Sequence, residues 1–183
     1  MLGKLISGGQ TGVDQAALRA ALRMGLAVGG WCPPGRICEA GEIPREFPLQ
    51  ETPMDRSSRA PDIPRSLRTE RNVQDSEGTL ILAFGSMKSL IASDRGTRWT
   101  VDCALRLGRP LYFMDIREVE APNRIAEWIK WSDVGMVNVA GPSENTAPGI
   151  GALAFEVLLA SFENRNRSGV GICPNLPSTE GRR

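Results

Sequence analysis

The residues of this chain whose types and spacing could do chemistry gather in glycine-bearing turns. The sharpest is Ser7-Gly8-Gly9-Gln10-Thr11-Gly12, set between a short apolar run, Lys4–Ser7, and a stretch with helical spacing, Val13–Met24. Glycine lets backbone close on a ligand. The helix start behind it offers unpaired amides and the positive end of a dipole, which suits an anion such as phosphate. Ser7, Gln10 and Thr11 add side-chain hydrogen-bonding groups, although a tight turn capped by Thr11 would need no ligand. Gly96-Thr97 repeats the pattern at a second helix start. Gly29-Gly30-Trp31 ends another apolar run and offers a flat indole, either to stack on a ring or to pack under the loop that follows. Asn72 and Asp75 stand one helical turn apart before the most apolar run of the chain. Asp14 lies in a first helical turn, where the dipole alone explains a carboxylate. Arg36 could meet a phosphate, but among so many local arginines a solvated role is the plainer one.

Several chemistries are excluded by what these motifs lack. The first turn is not G-x-G-x-x-G, and no acid ends the second apolar run, so the usual dinucleotide fingerprint is missing. No Gly-Lys-Ser/Thr follows, so it is not the ATP-binding P-loop. The chain has no histidine, which removes Ser-His and Cys-His nucleophilic pairs. Cys32, Cys38, Cys103 and Cys173 are irregularly spaced, without a Cys-x-x-Cys pair, and read as free thiols of a reducing cytosol rather than zinc ligands. Lysine plus arginine is 22 against 21 acids, a net charge of +1, which gives no electrostatic reason to seek nucleic acid or an anionic membrane. No run approaches the ~20 apolar residues of a membrane span. The N-terminus lacks the pattern of a signal peptide, so a cytoplasmic protein is expected.

The elements that must position these groups alternate strand and helix. Strands are expected at 4–7, 26–30, 79–84, 111–115 and 136–140. Helices are expected at 13–24, 66–75, 96–107, from Pro122 onward, and at 150–162, the last apolar nearly all round and therefore buried. Seven of the 13 prolines fall between Pro33 and Pro64, which argues against regular structure there and suggests a lid or subunit contact. A polar loop is expected at 85–95 and a flexible polar tail at 163–183. The whole reads as one α/β domain over residues 1–162, with a mostly parallel sheet covered by helices on both faces. Ligands of such sheets bind beyond the carboxyl ends of the strands, so the loops 7–11, 29–35, 85–97 and 140–143 should converge on one crevice.

Four separated stretches, in order, resemble a known family: Ile6-Ser-Gly-Gly-Gln-Thr-Gly-Val-Asp14, Gly29-Gly-Trp-Cys-Pro33, Asn72-Val-Gln-Asp-Ser-Glu-Gly-Thr-Leu80, and Asn138-Val-Ala-Gly-Pro-Ser143 followed by Ala147-Pro-Gly-Ile150. Together they look like the molybdenum carrier family of the Rossmann-like SLOG superfamily, over about residues 5 to 162. The resemblance implies a homo-oligomer, often a tetramer, that holds the molybdenum cofactor (molybdopterin), a pterin with a dithiolene and a phosphate. Taken with the reading of the turns, it gives a candidate binding site at Ser7, Gly8, Gly9, Gln10, Thr11, Gly12, Gly30, Trp31, Asn72, Arg95, Gly96 and Thr97. One stretch departs from the family: the usual short Gly-Gly-Thr loop is replaced by a longer 85–97 segment with Arg95 in place of a glycine. Related phosphoribohydrolases carry a glutamate just after their Gly-Thr pair, whereas Arg98-Trp99-Thr100 follows here. The expected activity is therefore binding of a small phosphorylated ligand without chemistry. The alternative is a protein that binds or processes a nucleotide or ADP-ribose-type ligand, with Asp14 or Asp75 as the acid/base candidate.

Overall fold

A computed structural model of the chain describes residues 1–167. In order the elements are β1 (Lys4–Ile6), α1 (Val13–Arg23), β2 (Ala27–Gly29), β3 (Trp31–Cys32), β4 (Ile37–Cys38), β5 (Gly41–Glu42), β6 (Gln50–Glu51), α2 (Ser66–Asp75), β7 (Gly78–Ala83), α3 (Met87–Ser93), α4 (Arg95–Arg106), β8 (Leu111–Asp115), α5 (Ala121–Trp131), β9 (Met136–Ala140) and α6 (Ile150–Arg167). Five strands form one parallel sheet in the order β2-β1-β9-β7-β8. Leu5 lies opposite Val28 on one side and Val137 on the other, and Ile81 lies between Phe113 and Ala140. Every residue of β7 is buried, as a parallel strand covered on both faces requires.

The helices divide by direction of travel. Steps β1 to β2 and β8 to β9 run toward one edge of the sheet and carry α1 and α5, which pack with α6. Steps β2 to β7 and β7 to β8 run toward the other edge and carry α2 and α4, which pack together on the opposite face with α3. A single hand for all crossovers demands this division. If β9 and α6 are counted first, the strand order reads 3-2-1-4-5, the order of a doubly wound nucleotide-binding sheet. Neighbouring strands β9 and β7 then send their chains to opposite faces, which opens a crevice between their carboxyl ends.

The structure corrects three local expectations. The 85–95 stretch is not simply loop. Ser86 accepts the amide of Ser89 (3.2 Å) and starts α3, whose Leu90 is buried with Ile81, Ala83 and Val101. A serine in extended backbone just before a helix is a favoured cap. The last helix runs on to Arg167, past the expected boundary at Phe162; the remainder of the expected tail, with Cys173, lies outside the described residues. That helix is also less buried than its all-round apolarity implies. Ile150, Ala154, Leu158 and Phe162 are in the core, but only α1 and α5 flank it, so Ala152 is exposed and Leu153, Phe155 and Leu159 are half-buried.

The proline-rich segment has no long regular element, as its composition predicts, yet it is firmly packed. Two two-stranded ladders, β3 with β6 and β4 with β5, punctuate it. Arg36 donates to the carbonyls of Leu49 (2.9 Å), Phe47 (3.0 Å) and Pro44 (3.2 Å), closing the loop around its guanidinium. Ile43, Phe47 and Leu49 join the main core beside the start of α1.

Candidate functional site: a crevice between the ends of β9 and β7

A polar crevice of about 170 Å³ lies at the split between β9 and β7. Gln10 and Asp14 contribute from the β1–α1 connection. Ala140, Gly141, Ser143 and Thr146 come from the chain leaving β9. Asp94, Gly96, Thr97 and Thr100 come from the start of α4, and Arg65, Arg68 and Thr69 from the start of α2. Three of the four loops expected at one crevice therefore meet there. The 29–35 loop does not line it.

The helix starts around this crevice are occupied by the chain's own carboxylates. Asp94 accepts the Thr97 amide (3.0 Å) and hydroxyl (3.1 Å), capping α4. Glu144 accepts the amides of Gly149 and Gly151 (3.0 Å for the latter), capping α6. Asp14 accepts the amide of Gln10 (3.2 Å), and the Gln10 side-chain carbonyl accepts the Thr11 amide (3.0 Å), filling the turn before α1. In the 3-2-1-4-5 numbering the β9–α6 turn is the one that holds the pyrophosphate in a dinucleotide-binding fold. Here a carboxylate stands at that helix start.

Positive charge reaches the crevice from α2 instead. Arg68 pairs with Asp14 at 2.9 Å; its side chain is 17 % exposed and that of Asp14 is 4 %. The guanidinium lies against Gly8, where a Cβ would fall 1.6 Å from its Nη1, so this glycine makes room for an arginine and not directly for a ligand. Arg68 Nε is buried with no acceptor. Burial pushes the Asp14 carboxyl above its usual range, although Arg68 and the Gln10 amide pull the other way. One turn earlier, Arg65 gives its backbone amide to Asp55 (3.1 Å), while its guanidinium makes no hydrogen bond or ion pair among the described residues. Arg65 sits at φ +59°, in the left-handed region. That conformation costs a non-glycine residue on the order of 1–3 kcal/mol, the kind of strain that gathers at functional sites.

The remaining residues singled out by sequence fall into separate places. The Ser7 hydroxyl donates to the Val139 carbonyl (2.7 Å) and ties β1 to β9. Gly9, at φ +76°, faces Leu49 and Ile43 of the proline-rich segment. Gly12, at φ +75°, passes so close to the Pro142 carbonyl that a Cβ would lie 2.6 Å from it. Thr11 bonds Glu39, which also accepts the Asn145 amide (2.9 Å); burial would raise that carboxyl, but these bonds hold it below its usual range. Gly30, Trp31 and Asn72 form a second cluster. Asn72 exchanges hydrogen bonds with the Trp31 backbone (2.7 and 3.0 Å), the indole N–H donates to Asp75 (2.7 Å), and Arg71 lies 4.3 Å over the ring. Gly30, at φ +126°, has no room for a Cβ between Ser7 and Asn72. Gly96 and Thr97 are at the crevice. Arg95 donates to the Asp62 carbonyl (3.0 Å), linking the start of α4 to the proline-rich segment.

Residues that sequence reasoning passed over carry the crevice's charge. The Arg65-x-x-Arg68 spacing, which puts two cations on one side of a helix start, was available as a signal. It was hidden because seven arginines and seven acids balance between Arg36 and Arg71.

The sequence profile of a family described as "Circularly permutated YpsA SLOG family" matches residues 5–162. No curated protein matches the chain. Among solved structures, that of a protein from Syntrophus aciditrophicus named "Putative molybdenum carrier protein" is similar at 32 % sequence identity. It superposes with a TM-score of 0.74 over 87 % of this chain and 94 % of that one. The sheet order, doubly wound once its last strand is counted first, is what a circular permutation of such a fold produces. The profile match spans most of the chain, all five sheet strands and the crevice, and the chain belongs to the circularly permutated YpsA SLOG family.

Proposed function

We propose that this protein is a carrier that binds a small phosphorylated ligand, the molybdenum cofactor, with the ligand's phosphate in the β9–β7 crevice. The observation that carries this reading is the α2 pair. The Arg65 guanidinium makes no hydrogen bond or ion pair among the described residues, and beside it Arg68 has its Nε buried without an acceptor. Two guanidinium groups on one side of a helix start present the fork of donors that suits a phosphate, whereas the Thr97 and Thr100 hydroxyls beside them already donate to Asp94 and to the Gly96 carbonyl. The size fits that group alone. Small-molecule pockets typically enclose roughly 300 to roughly 1000 Å³. The crevice, at about 170 Å³, takes a phosphate while a pterin stays at the mouth. The cofactor's dithiolene is what holds the molybdenum, so a carrier has only to bind and shield it. The 32 % identity to a protein named as a molybdenum carrier supports the choice of ligand.

A nucleotide or ADP-ribose-type ligand is the second reading, favoured by the 3-2-1-4-5 strand order. The Glu144 carboxylate at the start of α6 counts against a dinucleotide, since its charge stands where a pyrophosphate would bind. Mass spectrometry and metal analysis of ligand co-purified with untagged protein separate the two. A phosphorylated pterin with molybdenum supports the carrier; a nucleotide overturns it.

Assembly into a homo-oligomer, a tetramer by family resemblance, belongs to the same proposal. The half-buried side of α6 faces an open groove of about 1020 Å³ between α1 and α6, with Leu153 and Phe155 in its wall. An apolar face of this kind on a small domain suits a second copy. Buried free thiols at Cys32, Cys38 and Cys103 suit a reducing cytoplasm. No helix among the described residues is long and apolar enough to cross a membrane.

A further inference from the structure

We propose that Asp14 is an internal counter-anion: an incoming ligand anion takes Arg68 from it, and Asp14 takes up a proton in exchange, so binding at the crevice is proton-coupled. This rests on the crevice being the anion site and concerns how that site is regulated. Asp14 and Arg68 both line a cavity of about 170 Å³, so any phosphate-sized anion inside it stands close to both. Their bond uses one terminal nitrogen, Nη1, and one carboxylate oxygen, Oδ2, which the Gln10 amide also engages. Arg68 therefore keeps unused donors, including a buried Nε, to turn toward a second acceptor.

Besides Arg68, the group that donates to Asp14 is the Gln10 amide. From α2 Asp14 faces Arg68 and, one turn away, Arg65. From the start of α4 comes only Asp94, already turned onto Thr97. Beyond the β1–α1 turn, Glu39 is held by Thr11 and Asn145, and Glu144 by the amides of α6. On α1 itself Arg19 is occupied near Glu46 (3.9 Å). A ligand anion that draws Arg68 away leaves a second negative charge on a buried carboxylate beside it, and the carboxylate is the one that can be neutralised by a proton. The exchange is balanced. Arg68 N–H bonds pass from the carboxylate to a ligand oxygen, and a solvent proton goes to the Asp14 carboxylate. Burial already favours the protonated form. Affinity should then fall as pH rises, because the proton must be taken from an increasingly dilute supply.

Sulfate is a suitable probe, being a tetrahedral dianion that does not itself titrate between pH 6 and 9. Calorimetry of sulfate binding to the full chain in two buffers of different ionisation enthalpy counts protons taken up, and amide shifts followed by NMR give the dissociation constant. Wild type should take up a proton count that approaches one per sulfate within this range, with the dissociation constant rising up to about tenfold per pH unit on its alkaline side. Asp14→Asn should bind with no uptake and no pH dependence. Binding by wild type without proton uptake at any pH in the range overturns the proposal, as does unchanged uptake by Asp14→Asn. If that variant fails to fold, the wild-type proton count decides alone. If neither sulfate nor inorganic phosphate binds at any pH, the anion-site reading itself falls and this inference with it.

Discussion

Replacing Arg68 with alanine removes the cation that pairs with Asp14 at 2.9 Å. It leaves a carboxylate on a side chain that is 4 % exposed with little besides the Gln10 amide to stabilise its charge. Breaking a buried pair this way typically costs ~3–5 kcal/mol. A ceiling applies, since the carboxyl can always accept a proton instead. From an unfolded pKa of ~3.9, holding it neutral at pH 7 costs about 4 kcal/mol, at ~1.4 kcal/mol per pH unit. Wild type already bears part of this, because burial raises the Asp14 carboxyl in the folded state. The further loss at pH 7 therefore stays below this ceiling of about 4 kcal/mol, which bounds the fall in melting temperature at roughly 8–16 °C for a chain of this size. The sign of the pH dependence follows from the raised carboxyl. The folded state holds a proton that the unfolded state has released above pH ~4, so stability falls as pH rises from there through the folded pKa. At pH 5 the ceiling is about 1.5 kcal/mol, and the deficit should shrink accordingly. Urea unfolding at pH 5 and pH 7 measures both. Adding Asp14→Asn to Arg68→Ala should recover most of the pH-dependent part. An equal deficit at the two pH values would mean that Arg68 contributes only packing against Gly8, and the ion-pair reasoning would be refuted.

Asp94→Ala removes the cap of α4. It should cost about 1 kcal/mol by thermal unfolding, yet it frees the Thr97 amide toward the crevice, so sulfate affinity by NMR should rise rather than fall. Gly12→Ala places a Cβ 2.6 Å from the Pro142 carbonyl at φ +75°. It should destabilise the fold by about 1–3 kcal/mol in urea unfolding. Gly25→Ala, also at positive φ but with open space around it, should cost less. Arg95→Gly removes the bond to the Asp62 carbonyl. It should change stability by less than about 0.5 kcal/mol in urea unfolding. Light scattering at micromolar concentration should report a multiple of the 19.8 kDa chain mass, reduced toward the monomer by Leu153→Glu on α6. A wild-type particle of one chain mass would reject self-association.

Strand and helix order was legible because a fully covered parallel sheet needs runs such as Thr79–Ala83, apolar at successive positions, and because glycine and proline mark the turns between them. The short helix α3 was hidden: only one of its seven residues is buried, so its apolar spacing is thin and its Ser86 cap looks like any loop serine. At the site, the glycines were legible as glycines but not by purpose. Gly9 gives way to Leu49, Gly8 to Arg68 and Gly12 to the Pro142 carbonyl, and no local pattern distinguishes a close approach of the chain to itself from one to a ligand. Trp31 and Asn72 could be paired only once β3 and α2 were placed side by side, 41 residues apart in the chain. The arginines of α2 lay in a segment whose balanced charge suggests a solvated surface. Only the crossover that sets α2 over the split between β9 and β7 turns two of them inward.

The central claim is that an anion binds between Arg65 and Arg68 at the split of the sheet, and a crystal structure of the protein grown with a phosphorylated pterin tests it most directly. The phosphate should lie within hydrogen-bonding distance, about 3 Å, of both guanidinium groups. Glu144 should still cap α6. A phosphate seated on the amides at the start of α6 with Glu144 displaced, or bound in the α1–α6 groove with the crevice vacant, would contradict it.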